Sequence, residues 1–559
     1  KQPDLGHRLG LGGLDQHAIA DHQQLLVAAL HAGIEDRPSP RVFHLVRAQA
    51  RIPSRRCGEP RPVPHSPVPE LRIRVVADQP VRKGGEFVLY WMTAARRRRA
   101  NFALQRAVEL GTELGVPVLV LEALRCGYRW ASDRLHTFVL QGMADNRRDF
   151  AEAGVTYHAY VETEAGAGKG LLDALWAKAA AVVTDDFPCF FLPRMLAAAA
   201  ARCPVRMEAI DGNGLLPMRA AEKVYGRAFD LRRFLQQELP LHLGDFPAGD
   251  PLAKVAGVPA KLPRGFAKQW PAASEALLAA EPAALAALPI DHDVGPGVAR
   301  GGAAAAGAQL RTFLAGKLPR YGEERSQPDA DAASGLSPYL HFGHLSVHQV
   351  FAGLASQEKW TRERIVKTKS GQRGWMGMSE TAESFLDELI TWRELGFNYC
   401  AFRQDYEDYE SLPEWAKATL AKHAGDVREY VYTREQLAQG RTHDHVWNAA
   451  QRELRETGAM QNYLRMLWGK KVLEWSRSPQ EAFATLIELN NRYALDGRNP
   501  NSYTGISWVF GRYDRPWAPE REVYGVIRYM SSANTVKKLS MKGYLAKWSG
   551  AGAGQLPFA

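Results

Sequence analysis

Two tryptophans seven residues apart are the first sign of chemistry in this chain. In "RMLWGKKVLEW" (Arg465–Trp475), Trp468 and Trp475 lie two helical turns apart, on one face and about 10 Å from each other. Gly469, Lys470 and Lys471 lie between them, and the two lysines read as a solvated face or as contacts to DNA. A third indole, Trp447, sits in the preceding piece, "HVWNAAQRELRETG", beyond a break near Gly458. Three uses fit such indoles: packing, a platform for nucleic-acid bases, or a path for electrons.

Other stretches carry chemistry of different kinds. In "ESFLDELITWREL" (Glu383–Leu395), Glu388 and Trp392 are four apart and share a helix face with the apolar Phe385 and Leu389. A carboxylate there is either a satisfied cap or a functional acid. In "SGLSPYLHFGHLS" (Ser334–Ser346), Ser334, Gly335 and Ser337 precede a helix that Pro338 can start. Free N–H groups and small hydroxyls at that point suit an ordinary N-cap or a phosphate. In "LNNRYALDGRNPNSY", the turn leaves Asp496 at a helix end, where a carboxylate gains nothing from the dipole. It calls for a cation, and Arg465 is the candidate. Trp508, Arg512, Arg515 and Trp517 follow, an interleaving that suits stacked bases and phosphates.

The elements that position these residues fall into two characters. Strand patterns "RIRVVADQPV", "EFVLYWM", "VPVLVLEAL", "VTYHAYV" and "AAVVTDD" alternate with helical stretches around Asp133–Ala153 and Leu171–Ala180. That alternation predicts an α/β domain with a doubly wound parallel sheet, Rossmann-like, over 68–228. Residues 229–307 read as an interdomain connector of short helices and Ala/Pro/Gly-rich linker passing over the surface. Residues 308–549 read as an all-α domain, which holds nine of the chain's 14 tryptophans between Trp360 and Trp517. Residues 1–67, proline-rich near their end and lysine-free after Lys1, read as a disordered or non-native leader.

Composition narrows the classes. Hydrophobic content of 46% with 24% charged residues describes a globular protein. The net charge of +10 suits a polyanionic partner or a merely basic surface. Five cysteines without a CxxC pair make neither a disulfide framework nor a metal site, and no apolar run is long enough for a membrane span.

With "LSPYLHFG", "WNAAQRELRETG", "NYLRMLWGKKVLEW", "NNRYALDGRNPNSY" and "IRYMS" in this order, the chain resembles the photolyase/cryptochrome flavoproteins, and among them the class II cyclobutane pyrimidine dimer photolyases. The resemblance covers about 68–548. It implies FAD in the helical domain and double-stranded DNA with cyclobutane dimers as substrate. The implied enzyme is a carbon–carbon lyase in which light-excited reduced flavin lends an electron to a flipped-out dimer.

Residue by residue, the resemblance gives Tyr321, Ser334, Gly335, Leu336, Ser337, Arg393, Asn462, Arg465 and Asp496 to FAD, and Asn490 to flavin N5. Glu388 resembles the acid that hydrogen-bonds the dimer, with Trp392 and Trp508 as the indoles that cradle it. Arg325, Arg515 and Trp517 resemble residues around the lesion and the emptied duplex; for Arg325 and Trp517 plain surface and packing remain the alternative. Trp447 and Trp468, with Trp475 nearby, resemble the electron-transfer relay. "RSQP" (Arg325–Pro328) departs from the family pattern, because Ser326 stands where an asparagine is expected.

An antenna of the 8-hydroxy-5-deazaflavin or folate type belongs, if anywhere, in the α/β domain, with "VVTDDFP" (Val182–Pro188) marking a strand end. The resemblance further implies a monomer in the bacterial cytoplasm, associated with the nucleoid. Its alternatives are a cryptochrome-like photoreceptor without repair and a (6-4) photolyase. The latter calls for a histidine pair near the lesion, for which only His341 and His344 are available.

Overall fold

The structure, a computed structural model, describes residues 67–549 apart from positions 254, 256 and 257. The expected leader thus lies outside the described residues, save for its last position. Six strands, β1 (Ile73–Ala77), β2 (Phe87–Met92), β3 (Val118–Leu124), β4 (Thr156–Val161), β5 (Ala179–Asp185) and β6 (Met207–Ile210), form one sheet in the order β1-β6-β5-β2-β3-β4. Every residue of β2 and β5 is buried, as their unbroken apolar runs require in a sheet covered on both faces.

Strands β2 to β6 pair in parallel, but β1 runs antiparallel to β6, which corrects the expectation of a wholly parallel sheet. The reason is local. No helix lies between β1 and β2, so the chain reverses direction between them without a crossover, and β1 runs against β2 and hence against β6, which is parallel to the β2 set. Strand β1 is accordingly a partly exposed edge. Chain order runs outward from β2 through β3 and β4, and from β5 to β6 on the other side. The reversal therefore falls between β2 and β5, where a crevice opens at the strands' carboxyl ends.

The helix Phe102–Leu114 begins where the Asn101 side chain accepts from the amides of Ala103 and Leu104, and ends at Gly115 with φ of 67°. The helix expected over Leu171–Ala180 stops at Trp176, because Ala179 and Ala180 already belong to β5. The connector contributes a helix, Ala228–His242, and three short ones. Its Leu278, Leu285 and Leu288 pack with Leu124, Val139 and Met143. The segment therefore roofs the α/β layer rather than merely crossing it.

After β6 no further strand occurs among the described residues. The helix Glu380–Leu386 passes through a π-helical stretch, Asp387–Trp392, into Arg393–Phe402. Asp444 caps His445–Thr457, which ends at Gly458 with φ of 79°. Asn462–Trp475, Pro479–Tyr493 and Pro500–Val509 follow and share a core holding Trp447, Trp468, Trp475 and Tyr503. Among the described residues, no helix is long and apolar enough to cross a membrane.

Candidate functional site

Glu388 and Trp392 lie on the π-helical stretch, where hydrogen bonds run i→i+5 and the turn widens. Glu388 accepts from Arg325 at 2.5 Å, and Arg325 also lies 5.5 Å over the Tyr321 ring. Arg325 is thus held by an ion pair and a ring contact. Its backbone carbonyl is fixed by Gln461, at 3.0 Å. Burial pushes the Glu388 carboxyl above its ordinary pKa, and the Arg325 charge offsets only part of that rise. Yet 32% of the side chain is open to solvent. The result is a partly exposed acid whose pKa is raised.

A raised carboxyl pKa contributes stability that is present at low pH and is lost as pH climbs through the folded value. Arg325→Met removes the offsetting cation, so the Glu388 pKa should rise further and that window should extend to higher pH. Infrared titration of the protonated carboxyl C=O band, assigned by its absence in Glu388→Gln, measures the shift. An unmoved or lowered titration midpoint contradicts the arrangement.

A second group surrounds Asp496. Arg465 donates to its two oxygens at 3.4 and 3.2 Å, and the Ser337 hydroxyl donates at 2.7 Å. Burial opposes the charge, but Arg465, then the Ser337 hydrogen bond, outweigh it and hold the carboxyl below its usual range. The cation inferred for Asp496 is thus present, and the structure adds Ser337. Gly335 has φ of +65°, and a Cβ there would lie 2.7 Å from the Gln309 amide nitrogen. Gln309 in turn holds the Ser334 carbonyl at 2.7 Å. Leu336 is buried between them in sequence.

Asn490 is buried and donates to Asn491 at 3.0 Å. Among the described residues no donor reaches its side-chain Oδ1, so that oxygen can accept from a ligand N–H. Asn462 is exposed at the start of its helix, one turn before Arg465. Arg393 is turned elsewhere: it donates to the Asn213 carbonyl and lies 4.4 Å over the Phe397 ring.

The three indoles form a third group, in an order that chain position does not suggest. Trp447 sits between the other two. Its ring is 6.4 Å from Trp468 and nearly parallel to it at 6°, and 5.7 Å from Trp475 at 70°. Its Nε1 donates to the Trp468 carbonyl at 3.0 Å, and Trp468 donates to Gln451 at 2.9 Å. All three rings are buried. Beyond Trp475 lie His443 at 5.2 Å and, stacked on it at 3.7 Å, the exposed Tyr430.

A fourth group lies around Trp508. Arg528 lies 5.8 Å over Trp508 and 4.7 Å over Trp517, and Arg515 lies 4.8 Å over Trp517. Arg528 belongs to "IRYMS" and has no sequence signal beyond its aromatic neighbours. The lysines of "WGKK" are not the solvated face expected of them. Lys470 is 0% exposed and Lys471 7%, because the helix that carries them is packed all round.

A cavity of 460 Å³ opens at the β2/β5 switch, remote from these groups in its lining. Trp91, Arg96, Tyr128, Glu162 and Lys169 line it from the α/β side, Phe187 of "VVTDDFP" among the following loop, and His341 and Arg498 from the helical side. Burial lowers both His341 and His344 to about 3, so both are neutral. His341 contacts Asn499 and Phe187, and His344 accepts from the Gly302 amide. Neither has a partner in the Glu388 group.

No family model matches the sequence. The chain is 31% identical over 488 residues to the deoxyribodipyrimidine photo-lyase of Methanothermobacter thermautotrophicus, spanning 86% of this chain and 98% of that one. It is 32% identical over 489 residues to that of Oryza sativa, spanning 85% and 90%. Among solved structures, a bacterial class III photolyase from Agrobacterium tumefaciens matches with a TM-score of 0.56 at 17% identity, over 84% of this chain and 87% of that one. A Synechocystis cryptochrome matches with 0.58 at 15% identity, over 84% and 89%.

Proposed function

The chain belongs to the deoxyribodipyrimidine photo-lyase family, and from that premise we propose that it is a class II enzyme that repairs cyclobutane pyrimidine dimers in duplex DNA with light. The observation that carries the reading is the partly exposed acid Glu388, paired to Arg325 beside Trp392 on the π-helical stretch. A signalling flavoprotein has no use for such an acid beside lesion-gripping indoles.

The helical domain, 308–549, is read as the catalytic part and the α/β domain, 68–228, as the antenna part, with 229–307 joining them. The residues present fit FAD. Gly335, at φ of +65° and packed under the Gln309 amide, shapes the turn that carries Ser334 and Ser337, Ser337, Asp496 and Arg465 form a polar, charge-balanced wall, and Asn490 offers an acceptor for an N–H. Tyr321, Ser334, Leu336 and Asn462 complete the set, whereas Arg393, engaged by the Asn213 carbonyl and the Phe397 ring, is left out of it. Reduced FAD, when bound and excited, supplies the electron that opens the cyclobutane ring and receives it back.

The chain's own residues do the rest. Trp392 and Trp508 flank the flipped dimer and keep water away. Glu388 holds a proton toward a dimer carbonyl and stabilises the charge that develops there. Arg515 and Trp517, with Arg325 at the lesion, contact the distorted duplex and occupy the gap the dimer leaves. Trp468, Trp447 and Trp475 carry electrons inward from the surface. The basic surplus of +10 steers the protein to the phosphate backbone, so affinity falls as salt rises.

The cavity at the β2/β5 switch is read as the antenna site, for a planar chromophore of the 8-hydroxy-5-deazaflavin or folate type. Its place at a topological switch and its aromatic lining with a few charged groups support this. The protein acts as a monomer on DNA in the bacterial cytoplasm. The test is a duplex holding a single thymine dimer. Protein with reduced flavin, illuminated in the near-UV and blue, should restore thymine absorbance, and a dark control should not. Flavin that binds and is photoreducible without any such recovery overturns the repair reading.

A further inference from the structure

Lys470 has no role in the chemistry above, yet it is the lysine of "WGKK" with no solvent exposure at all. Its helix, Asn462–Trp475, lies against Pro500–Val509, the helix that carries Trp508. The two approach closely because residue 469 is glycine: a Cβ there would lie 2.5 Å from a Val509 methyl. Across that contact Lys470 Nζ donates to the Val509 carbonyl at 2.5 Å, at the C-terminal end of the Trp508 helix. The same Nζ lies 4.9 Å over the Trp508 ring.

Lys470 is itself anchored. Its carbonyl accepts from the Tyr524 hydroxyl at 2.9 Å, and that hydroxyl also bonds Glu474. A cation at a helix C-terminus satisfies an orphan carbonyl and the helix dipole. A cation over an indole in a dry setting fixes the ring's position. Burial is the price, and it pulls the ammonium pKa down to about 7, with Asp514 raising it and Arg528 lowering it further.

We propose that Lys470 is a positioning residue for lesion recognition: its amine ties the Trp508 indole to the end of its own helix, so that the indole is already placed when a flipped dimer arrives. This rests on the reading of Trp508 as a lesion-cradling indole.

The test is a double-mutant cycle on the flavin-loaded full chain, with Lys470→Met, Lys470→Gln and Trp508→Leu. The readout is the ratio of affinities for a duplex with one thymine dimer and for the same duplex undamaged, which does not depend on the active fraction. Lys470→Met and Lys470→Gln should each reduce that ratio about tenfold, while binding to undamaged duplex stays as it was. In the Trp508→Leu background the same changes should cost less than about twofold.

An unchanged ratio in Lys470→Met and Lys470→Gln overturns the inference alone. So does a loss of the same size with Trp508 already removed, or the failure of both variants to fold, since Lys470 would then be a structural residue only. A wild-type protein that does not prefer the damaged duplex overturns the reading of Trp508 and the inference with it.

Discussion

Phenylalanine at Trp447 should abolish light-driven reduction of oxidised flavin, while repair by chemically reduced protein survives. The expectation follows from the order of the rings. Trp468 and Trp475 lie on one helix, but each meets Trp447, at 6.4 and 5.7 Å, and Trp447 bridges them. Removing the bridge interrupts any route from Trp468 to Trp475 and on to the exposed Tyr430. Phenylalanine keeps much of the packing but is far harder to oxidise.

The substitution also removes the Nε1 bond to the Trp468 carbonyl. The combined loss should cost about 1–3 kcal/mol of stability, which a domain of this size tolerates. The measurement is flavin absorbance under blue light with an external reductant, beside a dimer-repair assay on dithionite-reduced protein. Trp468→Phe should act alike. Photoreduction at the wild-type rate in Trp447→Phe means that electrons enter by another route. Loss of both activities means that flavin binding, not the relay, was damaged.

The second large effect is expected at Glu388. Glu388→Ala should lower repair per absorbed photon by about tenfold or more, with flavin binding unchanged. A hydrogen bond to a charged group contributes about 1.5–3 kcal/mol, which is roughly one to two powers of ten in rate. That advantage is what lets ring opening compete with the unproductive return of the electron. Glu388→Gln keeps a donor without the acid and should fall in between. Because Arg325 loses its carboxylate countercharge at 2.5 Å in either variant, a modest gain in general DNA affinity should accompany the loss of repair. Unchanged repair in Glu388→Ala removes this residue from the mechanism.

Much of the layout was legible because it rests on periodicity and on local stops. Continuous apolar runs at "VPVLVLEAL" and "AAVVTDD" could only be central strands, and β3 and β5 are that. Gly115 and Gly458 end helices in the left-handed conformation that side chains disfavour. Asp496 was expected to need a cation as the end of a helix; the helix stops at Tyr493 and Asp496 lies in the turn beyond, but it is buried and Arg465 supplies the cation. These statements need only a few neighbouring residues or a charge to be matched.

What remained hidden was decided by contacts between distant segments. Strand β1 reads like its neighbours, but only the assembled sheet makes it an antiparallel edge. "GKK" reads as a charged surface, since a chain cannot announce that another helix will cover it; Gly469 lets Pro500–Val509 do so and buries Lys470. The π-helical widening at Asp387–Trp392, which sets Glu388 and Trp392, replaces the regular turn that spacing assumes. The spacing of seven between Trp468 and Trp475 is a property of one helix. That Trp447 lies between them is a property of two helices packed together, and only tertiary structure could settle it.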